Sequence, residues 1–147
     1  MTKPTTATGS KLSIWLGDGG SPETFVAPCG LRTRGIDFSA NANEELIPDC
    51  DDPDDPAWVA RTIQSLSAGI SGSGLLAKEA HDAWESFWFS AAPKNCRVII
   101  DWGGGVQRRY DGAFVCTNFK VNGEQGGRIQ VEVAMGSDGE VTPVSVP

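Results

Sequence analysis

The sequence predicts a mainly β fold, an α+β arrangement in which a β-sandwich or partial barrel carries one flanking α-helix. Three observations predict it. Short stretches alternate apolar and polar residues along the 147-residue chain, the period of half-buried strands. Clusters of Gly, Pro, Asn and Asp punctuate those stretches at the intervals of an all-β domain. A single segment, 78–90, spaces its apolar residues as a helix does. The hydrophobic fraction of 39%, with five Trp and six Phe, is enough for one core. A domain of this size buries roughly 70% of its extended surface and needs no staples. No apolar run is long enough for a spanning helix, and the first residues lack the basic head and apolar stretch of a secretory signal.

Residues 1–10, rich in Thr, Ser, Gly and Pro, read as a loose arm. A strand follows from Lys11, with Leu12, Ile14 and Leu16 on one face, and GDGGSP (17–22) turns it. Thr24–Ala27 reads as a short strand. Leu31–Ala40 is the next, with Ile36 and Phe38 on one face and Gly35 as a bulge. Asn41–Pro56 has no period and three prolines, so it reads as a sixteen-residue acidic loop; loops of that length inside a compact domain are usually functional. Trp58–Gly74 alternates again. Leu66, Ala68 and Ile70 share one face, while Ser65, Ser67, Gly69, Ser71 and Ser73 share the other.

The predicted helix, Lys78 to Ser90, places Ala80, Trp84, Phe87 and Trp88 on one stripe and turns Lys78, Glu79, Asp82 and Glu85 outward. Strands are then expected at Arg97–Trp102, near Arg108–Tyr110, at Ala113–Val121 and at Arg128–Met135, where Ile129, Val131, Val133 and Met135 point inward. Gly103–Gly105 and Gly123–Gly127 supply turns. The domain proper thus spans 11–135, and 136–147 reads as a tail with a short edge strand near Val141.

The net charge is −7, and seven acids fall within 44–55: Glu44, Glu45, Asp49, Asp51, Asp52, Asp54 and Asp55. Without them the charges balance, twelve against twelve. The chain therefore lacks the basic footprint of a DNA-binding domain. The four cysteines, Cys29, Cys50, Cys96 and Cys116, form no CxxC pair and read as free thiols. No catalytic residue, cofactor site or metal site emerges. His81, the only histidine, sits on the helix with Glu85 four residues on. No GxSxG elbow aims a serine, and GSGLL (72–76) lacks the Lys of a phosphate loop. The acidic loop lacks Gly and Glu at the EF-hand positions. It stands open to three readings: a solvated loop, an irregular calcium site, or an element that orders against a basic surface. Arg32, Arg34, Arg108 and Arg109 could supply that surface on another copy. A monomeric calcium- or ligand-binding β-sandwich module remains the alternative to a self-assembling subunit.

The run GAFVCTNF (112–119) through GEQGGRIQVEVAMGSDGEV (123–141) resembles the closing hairpin of siphophage major tail tube proteins. So do LSIWLGDGGSPETF (12–25), GLRTRGIDF (30–38), the acidic loop, and SAGISGSG (67–74) leading into an aromatic helix. The resemblance extends from about Lys11 onward and includes the related type VI secretion tube. It implies a structural, non-enzymatic virion component of a non-contractile tail, made in the cytoplasm of a bacterial host. Its partners would be itself, in stacked homohexameric rings whose strands close a β-barrel lumen, and the tape-measure, tail-terminator and baseplate proteins. Double-stranded DNA would pass through without specific binding, and no membrane is involved. On this resemblance the loop at 41–56 reaches the adjacent ring. Ser65, Ser67, Ser71 and Ser73 are then the candidate lumen face, small and uncharged, with Asp37 or Asp101 adding repulsion.

Overall fold

The computed structural model describes residues 3–146 and is built on one antiparallel sheet. The strands are β1 (Leu12–Gly17), β2 (Phe25–Val26), β3 (Leu31–Ile47), β4 (Trp58–Leu75), β5 (Lys94–Gly103), β6 (Val106–Asn122) and β7 (Gln130–Val146). The helix α1 spans Lys78–Ser90, and a 3₁₀ turn at Gly9–Lys11 leads into β1. The order across the sheet is β2-β1-β5-β6-β7-β4-β3. β6 and β7 hold its two halves together. Near Phe114, β6 leaves β5, and at Gly136 β7 leaves β4. Register shifts between Gly112 and Phe114 and between Cys116 and Asn118 fall at this crossover, where bulges increase twist and let a sheet curl. The sheet curls far enough for β1 to approach β3 without bonding to it.

The concave face holds the core. Ile14 and Leu16 of β1, Cys96 and Val98 of β5 and Phe114 of β6 meet Val131, Val133 and Met135 of β7 and Ala68 and Ile70 of β4. The helix closes this face with Ala80, Trp84 and Phe87, all buried. Trp88 does not join them. It is 44% exposed and stacks edge-on with Phe89 at 5.1 Å. The helix ends where Ala91 takes a left-handed conformation, φ 53°. Gly103, Gly104 and Gly105 all have positive φ and form the tight β5–β6 connection.

Several sequence expectations need correction. Asn41–Ile47 is not loop but the outer part of β3, paired with Trp58–Ser65. Asn and Glu disfavour strands and no core lies beneath them, so pairing alone holds this stretch extended. Gly35 lies in register with Ser71; the shifts in β3 fall instead between Leu31 and Thr33 and between Asn41 and Ala42. Arg108–Tyr110 and Ala113–Val121 are one strand, β6, and β7 continues to Val146 where a tail was expected. Ile129 precedes β7 and is 53% exposed, while its carbonyl accepts the Leu76 N–H.

The β1–β2 turn is fixed by two carboxylates. Asp18 Oδ1 accepts the N–H of Gly20 at 2.8 Å and of Thr24 at 3.1 Å. Those bonds hold its pKa below the ordinary value. Glu23 bonds the Gly19 N–H with one oxygen and the Asn95 amide with the other, tying the turn to β5.

All four cysteines are free thiols. Burial pushes the Cys96 thiol up to about 12, and Cys116 is raised in the same sense. In the folded subunit an alkylating reagent at neutral pH should modify the exposed Cys29 and Cys50 promptly and leave Cys96 unmodified until denaturant is added. Mass spectrometry of a labelling time course checks this; early modification of Cys96 would mean that β5 opens. The raised pKa is a stabilising contribution present in full below pH about 9 and lost as pH climbs toward 12.

Candidate functional site

The chemistry-bearing features lie on and around the β3–β4 hairpin. β4 pairs with β7 only from Gly69 to Leu75, so Trp58–Ala68 has β3 as its sole partner. The outer hairpin, Phe38–Ile47 with Trp58–Ser67, therefore overhangs the domain. It departs where the Ala68 N–H donates to Ser137 Oγ at 3.0 Å. The overhang is rich in uncovered apolar surface: Phe38, Leu46, Ile47, Val59 and Ile63 are exposed, Leu66 is 79% and Trp58 87% exposed. Pairing of Ala40 with Leu66, Ala42 with Ile63 and Leu46 with Val59 continues the core-side face outward. Phe38 meets Tyr110 of β6 edge-on at 5.0 Å; beyond it Leu66, Ile63, Val59 and Leu46 stay exposed in the isolated subunit, and apolar patches of this kind mark interaction surfaces.

The other face of the hairpin is polar except at its outer end, where register puts the exposed Ile47 and Trp58 on it. Ser65, Ser67, Ser71 and Ser73 all lie on it, opposite the buried Ala68 and Ile70. Ser67 Oγ meets Ser39 Oγ at 2.9 Å. Register carries the face across four strands, from Asp37 and Ser39 on β3 through these serines to Ala134 and Glu132 on β7 and Asn118 and Lys120 on β6. Lys120 and Glu132 pair at 3.7 Å. Farther out, the same alternation puts Glu45 on this face, so Asp37 and Glu45 are its unbalanced charges; Asp101 belongs elsewhere, paired with Gln107 on the β5–β6 side. Alternation within β4 gave the serines; the β6 and β7 residues needed cross-strand register, which one strand's pattern does not contain.

This four-stranded segment has two open sides. β3 has no neighbour beyond it. On the far side, pairing of β5 with β6 ends at Phe114, leaving 115–122 bonded to β7 alone. Open edges of this length are a liability for a lone domain and a template for another copy.

At the hairpin tip, residues 48–57 form the loop proper. Glu44 and Glu45 are on β3 and not in the loop; Glu44 bonds Arg61 at 3.1 Å. Asp49 and Asp52 turn back on the chain, accepting the N–H of Asp51 and of Asp54. Asp51, Asp54 and Asp55 are exposed and make no ion pair within the subunit among the described residues. The carboxylates do not converge into a group of three or more that could hold a metal, among the described residues. His81 and Glu85 meet at 3.1 Å on the exposed side of α1 as an ordinary helix pair.

The arginines separate into two places. Arg32 and Arg34 lie at the end of β3 far from the tip, whereas Arg108 and Arg109 lie near the β5–β6 turn. Arg97, between β1 and β6, is committed internally: it bonds Asp111 at 2.9 Å and covers the Phe25 ring at 4.1 Å.

An overhanging hairpin, open edges and a broad polar face describe a subunit of an assembly, and no catalytic group converges there among the described residues. Residues 6–143 match the family of phage tail tube proteins. The chain belongs to that family. Tail tube proteins are structural virion components and not enzymes, which accords with the lack of a catalytic constellation in the sequence. No curated relative matches. Among solved structures, this tail tube protein is similar to the tail of an empty gene transfer agent particle refined with C6 symmetry, at 24% identity and TM-score 0.76, covering 95% of this chain and 99% of that one. It is similar to the SPP1 tail tube at 10% identity and TM-score 0.63, covering 96% and 79%. A chain in the baseplate of the anti-feeding prophage shares the fold at 4% identity and TM-score 0.63, covering 98% and 97%. At these identities the likeness is one of fold.

Proposed function

We propose that this chain is the major tube subunit of a non-contractile tail, closing into hexameric rings that stack into a conduit for double-stranded DNA. The observation that carries the reading is the pair of open edges bounding the segment β6-β7-β4-β3. Joining the β3 edge of one copy to the 115–122 edge of the next extends the sheet, and repetition by rotation closes it into a barrel without edges. Six-fold closure is taken from the C6 tail that shares the fold. Which face turns inward follows from solvation: the overhang's apolar face seeks a neighbouring subunit, so the serine face lines the hole.

That lining suits passage. With Asp37, Glu45 and the mutually neutralised Lys120–Glu132 pair as its charges, it carries no unpaired basic residue and makes few counterion-releasing contacts with phosphate. Tape-measure protein would occupy the same channel before DNA, and terminator and baseplate proteins would cap the ends of the stack. Assembly takes place in the host cytoplasm and the product resides in the virion.

Electron microscopy of the purified chain, alone and with a preformed tail tip as seed, tests the assembly: rings or tubes are expected, and a monomer under every condition overturns the proposal. Lumen assignment has its own test. Ser67→Lys with Ser71→Lys should leave tubes of normal appearance but slow DNA ejection, because each lysine adds phosphate contacts. Unchanged ejection kinetics would place that face away from the channel.

A further inference from the structure

Resting on the ring reading, we infer that α1 of one copy lies against β3 of the next copy in the same ring, with Trp88 and Phe89 covering Phe38 and Glu85 meeting Arg34. The helix stands beside the open edge where that β3 would join. Leu75, three residues before α1, is level with Gln130 and through it with Asn122, while Lys94, just after α1, is level with Phe114. The helix therefore runs antiparallel to 114–122 of β6 and packs on it. The Ala68 N–H, directed at β7, sets the hand of the sheet; a right-handed helix running this way turns Ala83 toward β4 and Trp88 toward the β6 edge. The two flanks differ accordingly. Ala83 packs against the core, whereas Trp88 is 44% and Phe89 71% exposed, stacked on each other.

β3 carries the matching surface. It runs opposite to β6, so the β3 edge of one copy meets the 115–122 edge of the next as an antiparallel pair with core-side faces aligned. On that face β3 presents in order Arg34, Ile36 and Phe38, level with Gly72, Ile70 and Ala68 of β4. Ile36 packs against its own core. Phe38 stays 53% exposed although it meets Tyr110, and Arg34 takes part in no ion pair of the described residues. The helix offers the complement in the same order, Glu85 and then Trp88 and Phe89, with His81 as the partner Glu85 has within the subunit. Since α1 and β3 both run opposite to β6, the two series lie parallel and like meets like along their length. The thirteen residues of α1 rise about 20 Å, and Leu31–Phe38 spans about 23 Å. Paired aromatic anchors with charge at the rim are the usual build of a specific contact, and a contact between unlike surfaces repeats around a ring when each copy offers both.

Two sets of variants test the contact. Trp88→Ala with Phe89→Ala removes both anchors, while Glu85→Arg and Arg34→Glu reverse the charges singly and together. Urea denaturation verifies that each free chain folds. Sedimentation velocity with negative-stain microscopy then gives the chain concentration at which half the protein is in rings. The double alanine should raise that concentration at least about tenfold, the effect of losing one buried aromatic anchor. Each single charge variant should raise it roughly threefold, and the combined variant should return it toward wild type. Asp82→Arg, on the outward side of α1, should leave it unchanged. Wild-type assembly by the double alanine, a combined charge variant no better than the single ones, or an equal loss from Asp82→Arg would overturn the inference while leaving ring closure by strand pairing standing. Absence of rings from the wild-type chain would instead remove the ring reading itself.

Discussion

Trp84→Ala should destabilise the isolated subunit by about 3–5 kcal/mol, the range for deleting a large buried aromatic. Trp84 is 1% exposed and, with Phe87 and Ala80, is the means by which α1 closes the concave face of the sheet. The helix has little else to hold it. It lacks a side-chain cap at Ala77 and basic residues in its last turn, so its stability derives from tertiary packing. Removing the indole opens a void between α1 and the strands that neighbouring Phe87 and Phe114, both fully buried, cannot fill without leaving their own sites. Trp88→Ala provides the contrast. Its ring is nearly half exposed and rests on Phe89, so a cost within about 1 kcal/mol is expected. Equilibrium denaturation in urea measures both. Equal effects would mean that the helix is rotated relative to the arrangement described, and a small effect at Trp84 would remove it from the core.

The helix was legible in sequence to the residue because its aromatics recur with one period over several turns, with charges filling the remaining positions. The two tryptophans separate on how far the rest of the fold covers each position, which the sequence does not hold. β4 was legible for a similar reason: serine alternation and Leu66, Ala68 and Ile70 mark its two faces before any partner is known. Asn41–Ile47 was not. Its residues follow no apolar period because neither face meets a core, and what makes them a strand is pairing with Trp58–Ser65 across the loop. The second half of β7 was hidden likewise, since Gly136, Gly139 and Pro143 read as punctuation. The first misreading falls where β3 runs past the packed centre, and that overhang is a surface assigned to assembly; the second falls on a segment that pairs with β6 and packs Val141 against the core. The acids were visible as a cluster, but their separation from Arg32 and Arg34 by the length of β3 required the fold.

Ile63→Asp and Leu66→Asp should each leave the subunit's unfolding midpoint within about 0.5 kcal/mol of wild type, yet together nearly abolish ring formation. Both residues point from the core-side face of the overhang, beyond the last residue of β4 that β7 covers. Leu66, at 79% exposed, has little apolar burial to lose in the monomer. In a ring the balance reverses. Covering a leucine or isoleucine contributes about 1.5–3 kcal/mol, whereas enclosing an unpaired carboxylate costs several, and the penalty recurs at every interface of a closed ring. The sign of the solubility change separates this from nonspecific stickiness: the aspartates should make the free chain more soluble while preventing ordered assembly. Leu66→Met, which keeps volume and apolarity, should assemble normally. Thermal melts combined with sedimentation velocity resolve the two quantities. Normal rings from the double aspartate variant would show that the apolar face stays in water, and the serines would then have no reason to face the channel. A large drop in melting temperature would show that the overhang folds back onto its own subunit, so that the exposed leucine belongs to a core and not to an interface.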